Sequence, residues 1–296
     1  MQPDFLCIGS VLWDMIGRAG GTMRIGADKP GKITRLPGGV AMNIAMTLVR
    51  MGQRPALLSV IGRDLEGDEL LERARAMGMI TRFLCRSETL PTDRYMAIED
   101  ASGLIAAIAD AHSLEAAGDA ILAPLADGRL GSTDAPYAGR IVLDGNLTTS
   151  LLADIARSPL FASADLLVAP ASPGKAERLR PLMHHPRATL YVNLEEAGIL
   201  CNARFSDSRS AALGLIAAGA TRVLVTDGPR DATDARAGDV PLTRAAHRVD
   251  VARVTGAGDT FMAVHMVAEA QGTSPAEALA RAQEAAAAHV AGAIHD

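Results

Sequence analysis

The sequence predicts an α/β protein built on a mostly parallel central sheet. Short apolar runs that end in small or polar residues alternate with helix-like segments along the second half of the chain. Such alternation is typical of parallel sheets, whose ligand sites lie outside the carboxyl ends of the strands. The predicted buried strands include Phe5–Ile8, Ala56–Val60, Ile141–Leu143, Leu166–Val168, Leu190–Val192 and Val223–Val225. Two glycine-containing segments that precede helix-like runs, near residues 38 and 256, are candidate ligand sites.

Composition restricts the classes of function. The 296 residues are 49% hydrophobic, enough for a sizeable core, and we expect a single domain over residues 1–296. A net charge of −5 gives no electrostatic footprint for nucleic acid. The three cysteines are far apart and lack metal-ligand spacing, which predicts reduced thiols. The sequence has neither a run of about 18 apolar residues nor a secretion signal, so we expect a cytoplasmic protein without a membrane partner.

Asp14 is the first candidate for substrate binding. It follows the apolar run Phe5–Ile8, and polar groups beyond the carboxyl ends of parallel strands are where such sheets bind ligands. The alternative is a solvated loop acid, and this residue alone does not separate the two.

The paired glycines Gly38 and Gly39 precede a helix-like run in which Asn43 comes early. Glycines let the backbone approach a ligand closely. The Asn43 amide can both donate to and accept from a diol. The alternative is that Asn43 only starts the helix.

A small projecting sheet is predicted beside the main one. The strand-like runs Tyr95–Glu99 and Leu104–Ala109 flank a short polar link and predict a β-hairpin. Residues 32–36 alternate polar and apolar, as a strand with one solvated face does. We therefore predict a lid from segments near residues 15–36 and 92–110, inserted in the main α/β domain.

The most informative stretch is Val254–Phe261, where the small residues Gly256, Ala257 and Gly258 precede Asp259. An apolar helix-like run follows, so these residues lie at a helix N-terminus, whose first N–H groups lack partners and attract anions. An aspartate in such a place suits proton abstraction from an alcohol that attacks a phosphoryl group. The alternative is a glycine-rich turn with an aspartate cap.

Together these motifs resemble the ribokinase-like carbohydrate kinases of the PfkB family. The resemblance spans nearly the whole chain, and the order and separation of the motifs match the family. The matching elements are Gly38 and Gly39 with Asn43, the run Gly256-Ala257-Gly258-Asp259, Asn193-x-x-Glu196 of the N-x-x-E element, and Thr226-x-Gly228 at the start of the nucleotide loop. The resemblance implies a three-layer α/β/α sandwich with a small β-sheet lid, and the use of ATP and Mg²⁺.

Within that family the chain is most similar to the pseudouridine kinases. Pro30–Ile33 ahead of the paired glycines, the spacing Asp144-x-Asn146, and Ile108–Asp110 carry this weaker signal. Other nucleoside or sugar kinases, of the ribokinase, fructokinase or ketodeoxygluconate kinase type, are alternatives. A nucleoside-binding protein that turns over ATP poorly is an alternative from a different class. A dinucleotide site is excluded because the first strand is not followed by G-x-G-x-x-G.

The resemblance also implies roles for single residues. Asp259 would accept the proton of a 5′-hydroxyl, while the N–H groups of the residues before it stabilise the transferring group. Glu196 would organise Mg²⁺ through water, because Mg²⁺ keeps several of its waters. The other implied contacts are Asp14, Gly38, Gly39, Asn43 and Asn146 with the ribose hydroxyls, and Asn193, Thr226 and Gly228 with the nucleotide. Closure of the lid would exclude water, and a homodimer through the lid sheet is implied as well.

Three positions depart from the family pattern. Asp231 stands where the nucleotide loop ends in glycine, and its side chain would crowd or repel phosphates. Ala169 stands where pseudouridine kinases usually have aspartate. Arg253 replaces an acidic residue that helps to bind a monovalent cation in many relatives, and a guanidinium offers only donors. The sequence therefore predicts activity with little dependence on K⁺.

Overall fold

A computed structural model of the protein describes residues 2–24, 26–101, 103–252 and 255–293. The strands are β1 Phe5–Ile8, β2 Leu12–Ala19, β3 Gly31–Gly38, β4 Pro55–Leu58, β5 Val60–Gly62, β6 Cys85–Ser87, β7 Arg94–Asp100, β8 Gly103–Asp110, β9 Arg140–Asp144, β10 Asp165–Ala169, β11 Ala188–Asn193, β12 Arg222–Thr226, β13 Asp231–Arg236 and β14 Leu242–Ala245. The α-helices are α1 Val40–Arg50, α2 Leu65–Ala76, α3 Ser113–Ala117, α4 Ala123–Ala126, α5 Thr149–Arg157, α6 Leu194–Cys201, α7 Ser208–Ala217, α8 Ala257–Ala270 and α9 Pro275–Val290. Short 3₁₀ segments cover Gly118–Leu122, Pro159–Phe161 and Pro173–Leu182.

The central sheet has eight strands in the order β14-β13-β12-β11-β10-β9-β1-β4. Every neighbouring pair from β4 to β12 is parallel, whereas β13 and β14 continue the sheet as antiparallel strands. The parallel strands therefore end at one common edge, where the polar residues that follow them can meet. The predicted α/β class with a mostly parallel sheet is confirmed.

Helices cover both faces of this sheet. Successive side chains of a strand point to opposite faces. In β1, Leu6 and Ile8 enter a core with helices α5, α6 and α7, whereas Phe5 and Cys7 enter a second core with α1, α2, α8 and α9. All four side chains are fully buried, and burial of such a side chain is worth roughly 1.5–3 kcal/mol. The predicted three-layer sandwich is thus confirmed.

A separate four-stranded sheet, in the order β3-β2-β7-β8, occupies the segments for which a lid is predicted. Its strand β2 begins at Leu12, close after the end of β1 at Ile8, and every residue of β8 is exposed. Trp13 anchors its base, because the buried indole donates from Nε1 to the Glu66 carbonyl oxygen of α2 at 2.9 Å. Closure of this sheet over a site stays a prediction.

Some local expectations need correction. Residues 56–60, expected as one strand, divide between β4 and β5 at Ser59, because β4 pairs with β1 while β5 pairs with β6. Asp14 lies inside β2 and not in a loop beyond β1. The edge strand β14 and the short strand β6 were not expected. Among the described residues, no helix combines the length and hydrophobicity needed to cross a membrane.

Candidate active site

The first turns of α1 and α8 meet at the carboxyl edge of the central sheet. Asn43 is in the first turn of α1, and its Nδ2 donates to Asp259 Oδ2 over 3.0 Å. Asp259 is in the first turn of α8, whose N-cap Gly256 has a left-handed backbone with φ of 85°. The residue predicted to accept a proton and an amide predicted to bind sugar are therefore in direct contact.

The electrostatic environment of Asp259 suits proton transfer. Burial raises the pKa of Asp259 to about 7; the hydrogen bond from Asn43 lowers the pKa, and the charges of Asp144 and Asp14 raise it. A general base works best when its pKa lies near the operating pH. A carboxyl group whose pKa is strongly shifted within a polar cluster is a candidate functional group.

A histidine holds the turn that leads into α8. His289, near the end of α9, places Nε2 2.8 Å from the Thr255 carbonyl oxygen and Nδ1 3.2 Å from Thr260 Oγ1. Because a carbonyl oxygen only accepts, Nε2 carries the proton and Nδ1 accepts from the hydroxyl. A Cβ on Gly256 would lie 3.2 Å from the imidazole. Sequence reasoning missed His289, for which the available signal was a polar residue at the end of an alanine-rich helix.

A buried carboxylate, Asp144, lies beside residues predicted to bind the substrate. Its Oδ2 accepts from Ser10 N at 2.7 Å, Ser10 Oγ at 2.8 Å and Ala41 N at 3.1 Å, and its Oδ1 accepts from Asn146 N at 2.7 Å. Burial raises the pKa of Asp144, whereas these hydrogen bonds lower it. A Cβ on Gly9 would collide with the carboxylate. The group joins the ends of β1 and β9 to the start of α1, and neither Asp144 nor Ser10 was predicted as a site residue.

Asn146, predicted to hold ribose hydroxyls, is tied in place by both ends of its amide. Nδ2 donates to Ser10 Oγ at 2.9 Å, and Oδ1 accepts from Lys175 Nζ at 2.7 Å. An amide has two N–H donors and two lone pairs, so one of each is left for a ligand. Lys175, in the 3₁₀ segment after β10, was not predicted as a site residue.

Asp14 is half-buried in β2, opposite Leu36 of β3. Burial raises the pKa of Asp14 to about 6. A Cβ on Gly38 would collide with its carboxylate, and a Cβ on Gly39 would lie 2.6 Å from the Ser10 carbonyl oxygen. Gly39 also has a φ of 92°. The two glycines therefore allow the chain entering α1 to pass close to both polar residues.

Asn193 and Glu196 form a capping box at the start of α6. Asn193 Oδ1 accepts from Glu196 N at 2.9 Å, and Glu196 Oε2 accepts from Asn193 N at 2.8 Å. Burial raises the pKa of Glu196 to about 7; the hydrogen bond from Asn193 lowers it, and the charges of Glu195 and Asp259 raise it. Within the described chain Oε1 of Glu196 has no hydrogen-bond partner, which fits a Mg²⁺ ion held through water.

The turn between β12 and β13 contains the predicted nucleotide residues. Thr226 ends β12, and Gly228 has a φ of 52° with no atom near an added Cβ, so this side of the turn is open. Asp227 N donates to the Asp231 carbonyl oxygen at 2.9 Å, and the Asp227 carboxylate pairs with Arg230 at 2.8 Å. Asp231 therefore closes the turn through its backbone at the start of β13.

Residues 2–293 match the pfkB family carbohydrate kinases. The chain belongs to this family. It is 32% identical over 204 residues to an uncharacterized sugar kinase, YeiI, of Escherichia coli strain K12, covering 67% of this chain and 53% of that protein. The chain thus spans about half the length of that relative. It is 28% identical over 272 residues to the pseudouridine kinase of the same strain, covering 88% of this chain and 82% of that one.

A solved structure of Arabidopsis thaliana ribokinase in complex with ribose and ATP shares the fold of this PfkB-family chain. The TM-score is 0.77 at 20% identity, covering 98% of this chain and 93% of the ribokinase chain. The family predicted from the motifs is confirmed, and a pseudouridine kinase is among its relatives.

Two further departures from the family pattern are Ala169 and Arg253. Ala169 is buried at the end of β10, and its carbonyl oxygen accepts from Gly145 N at 2.8 Å. Arg253 lies outside the described residues, as does Val254. Weak dependence on K⁺ stays a prediction.

Proposed function

We propose that this PfkB-family chain is an ATP-dependent kinase that phosphorylates the 5′-hydroxyl of a ribose-containing substrate, and that this substrate is pseudouridine. The observation that carries the proposal is Asp259, hydrogen-bonded to Asn43 at the start of α8, with its pKa raised to about 7. Membership of a carbohydrate kinase family supports phosphoryl transfer. The pseudouridine kinase relative, which aligns with most of the chain, supports the choice of substrate.

The proposed chemistry uses few residues. Asp259 takes the proton of the attacking hydroxyl while the new bond to the γ-phosphorus of ATP forms and the bond from that phosphorus to the bridging oxygen breaks, which releases ADP. The first N–H groups of α8, from Gly256, Ala257 and Gly258, stabilise the charge on the transferring group. Phosphoryl transfer needs positioning and charge stabilisation more than covalent help. Mg²⁺, held by Glu196 through water, would supply positive charge beside the phosphates.

The remaining predicted residues are proposed to position the two substrates. The ribose hydroxyls would bind to Asp14, Asn43, Asn146 and the backbone at Gly38 and Gly39. The nucleotide would bind near Asn193, Thr226 and Gly228. The small sheet would close over both and exclude water that would otherwise hydrolyse ATP.

A homodimer through the small sheet is also proposed. Ile33 of β3 and Leu104 and Ile108 of β8 are 76%, 60% and 68% exposed, and several exposed large apolar side chains on one small sheet are typical of an association surface. A second copy of the chain is the proposed partner. Light scattering with size-exclusion chromatography should give the mass of a dimer, and Ile108→Lys should give that of a monomer. We also propose a cytoplasmic location, which the free cysteines favour.

A substrate panel tests the proposed function. The purified chain would be mixed with ATP and Mg²⁺ and with pseudouridine, uridine, ribose, fructose or ketodeoxygluconate, and both ADP formation and product mass would be measured. We expect the largest kcat/KM with pseudouridine and a product one phosphoryl group heavier. Preference for a sugar would favour the alternative sugar kinase. Tight nucleoside binding without ADP formation would favour a binding protein.

A further inference from the structure

A series of hydrogen bonds leads from the sugar side of the site to a lysine that the proposed mechanism does not use. Lys175 Nζ donates to Asn146 Oδ1 at 2.7 Å, and Asn146 Nδ2 donates to Ser10 Oγ at 2.9 Å. Ser10 Oγ in turn donates to Asp144 Oδ2 at 2.8 Å. Lys175 is thus connected, through one amide, to the groups that shape the sugar site.

The same series extends toward the proposed base. Ser10 Oγ also accepts from Val40 N at 2.8 Å at the start of α1, and Asn43 in the same turn contacts Asp259. Asp259 and Lys175 therefore lie at opposite ends of this set of contacts. A ribose bound along this set of contacts with its 5′-hydroxyl at Asp259 would have its C1 carbon nearer to Asn146 and Lys175.

Lys175 is a half-buried cation that forms no ion pair among the residues that the structure describes. Its neighbour Arg178 pairs with Glu115 at 2.7 Å, so that cation is neutralised. Asp144 already accepts four hydrogen bonds. Because an ammonium has three donors and Asn146 uses one, Lys175 has donors left for a ligand.

We propose that Lys175 is a specificity-determining residue that donates to a carbonyl oxygen of the base at C1 of the substrate. This inference rests on the proposed function and identifies the group of the substrate that the site recognises. A neutral carbonyl is favoured over an anion, because the Asp14 and Asp144 carboxylates lie close enough to Asp259 to act on it as like charges, and together they would repel an anion. The anchored Asn146 amide fixes the position of the Lys175 ammonium, so the ammonium would donate only to a carbonyl oxygen at one position of the base.

The test compares pseudouridine with ribose, which has no base. Lys175→Met keeps most of the length and the apolar stem of the side chain but removes the charge. We expect the ratio of kcat/KM for pseudouridine over ribose to fall by about 10–100-fold, the range for a hydrogen bond to a charged group, mainly through KM. Lys175→Arg, which keeps the charge, should recover part of that ratio. Arg157→Met, which removes an exposed cation at the end of α5, where the proposed mechanism uses no residue, should leave the ratio unchanged.

The outcomes separate this inference from the proposed function. If Lys175 only holds Asn146 in place, Lys175→Met lowers kcat/KM equally for pseudouridine and for ribose, and the inference is overturned. A wild-type preference for ribose 1-phosphate over pseudouridine, lost in Lys175→Met, overturns the choice of a neutral carbonyl. Titration of the fluorescence of Trp13, the chain's one tryptophan and the neighbour of Asp14 in the sequence, measures Kd for pseudouridine and for ribose. The ratio of the two Kd values gives the selectivity from binding alone. Binding selectivity that depends on Lys175 without turnover would refute the kinase proposal alone, whereas a wild type that binds neither compound refutes both.

Discussion

The Nδ2 atom of Asn43 lies 3.0 Å from the Oδ2 atom of Asp259, although 216 positions separate the two residues in the sequence. The contact exists because α1 and α8 pack on the same face of the sheet with their first turns together. The amide hydrogen bond favours the ionised carboxylate, whereas burial favours the protonated one. The pKa of Asp259 therefore lies where a proton acceptor is useful near neutral pH.

The first prediction concerns the pH dependence of turnover. Asp259 accepts a proton only when ionised, so kcat/KM for the nucleoside should fall tenfold per unit as the pH drops below about 7. A profile measured from pH 5 to 9 at saturating ATP checks this. Glu196 also has its pKa raised to about 7, so Glu196→Gln is the control and should retain the acid limb. A kcat/KM that is flat down to pH 5 would contradict the assignment.

Asp259→Asn should separate catalysis from stability. We expect kcat to fall by roughly 10²–10⁴-fold while nucleoside binding survives. Because the folded state raises the pKa of this carboxyl, the folded protein loses stability as the pH rises from about 4 to about 7. The variant avoids that loss, so its Tm should exceed the wild-type Tm at pH 8 and match it near pH 4. Near-normal turnover by the folded variant would refute Asp259 as the base.

Asp14→Ala should weaken nucleoside binding by about 1.5–3 kcal/mol, because a charge-assisted contact to a ribose hydroxyl is lost. Titration of Trp13 fluorescence with pseudouridine measures this without turnover. The buried indole also stacks with Arg35, whose guanidinium carbon lies 4.2 Å from the ring centre, so Arg35→Met is the control for altered fluorescence. An unchanged Kd in Asp14→Ala would show that Asp14 does not bind the nucleoside.

His289 is predicted to act as a positioning residue. His289→Ala removes the donor to the Thr255 carbonyl oxygen, and the turn before α8 should then lose its alignment. We expect kcat to fall by about 10–100-fold, because small misplacements of catalytic groups cause losses of this size. The Kd for the nucleoside, read from Trp13, should change little, and His289→Gln should recover part of kcat. Equal loss of binding and turnover would indicate general destabilisation instead.

A buried ion-pair network predicts a large effect on stability far from the site. Arg222 donates to Asp234 and to Glu269 at 2.7 Å each, and Asp234 is only 6% exposed. Arg222→Met should lower the free energy of unfolding by about 3–5 kcal/mol, because the Asp234 carboxylate is left without its partner. Arg187→Met is the control.

Arg187 pairs with Asp165 in solvent, at side-chain exposures of 45% and 53%. Exposed pairs are worth about 0–1 kcal/mol, so this control should change the free energy of unfolding little. Urea denaturation of the two variants and the wild type measures both effects. Similar losses of unfolding free energy in the two variants would show that burial of the Arg222 network does not account for its effect on stability.

Some features of the site could be predicted because they are local in the chain. Gly256 and Asp259 are three positions apart, and the glycine-rich run before an apolar helix pattern is sufficient to place both at a helix start. The capping box between Asn193 and Glu196 is equally local. Its N-x-x-E spacing is typical of a helix N-cap, in addition to the cation site that it predicts. In each case the backbone geometry of one helical turn brings the residues together.

The sequence by itself determined the alternation of buried strands and helices, and with it the α/β class and the edge of the sheet at which the candidate site lies. Only the tertiary structure decided that Asp144 holds Ser10, that Lys175 reaches Asn146, and that His289 supports the turn before α8. Periodicity shows which face of an element is buried, because the repeat is set by backbone geometry. It does not show which distant residue packs against that face, and hydrogen bonds and pKa shifts in the site depend on those partners.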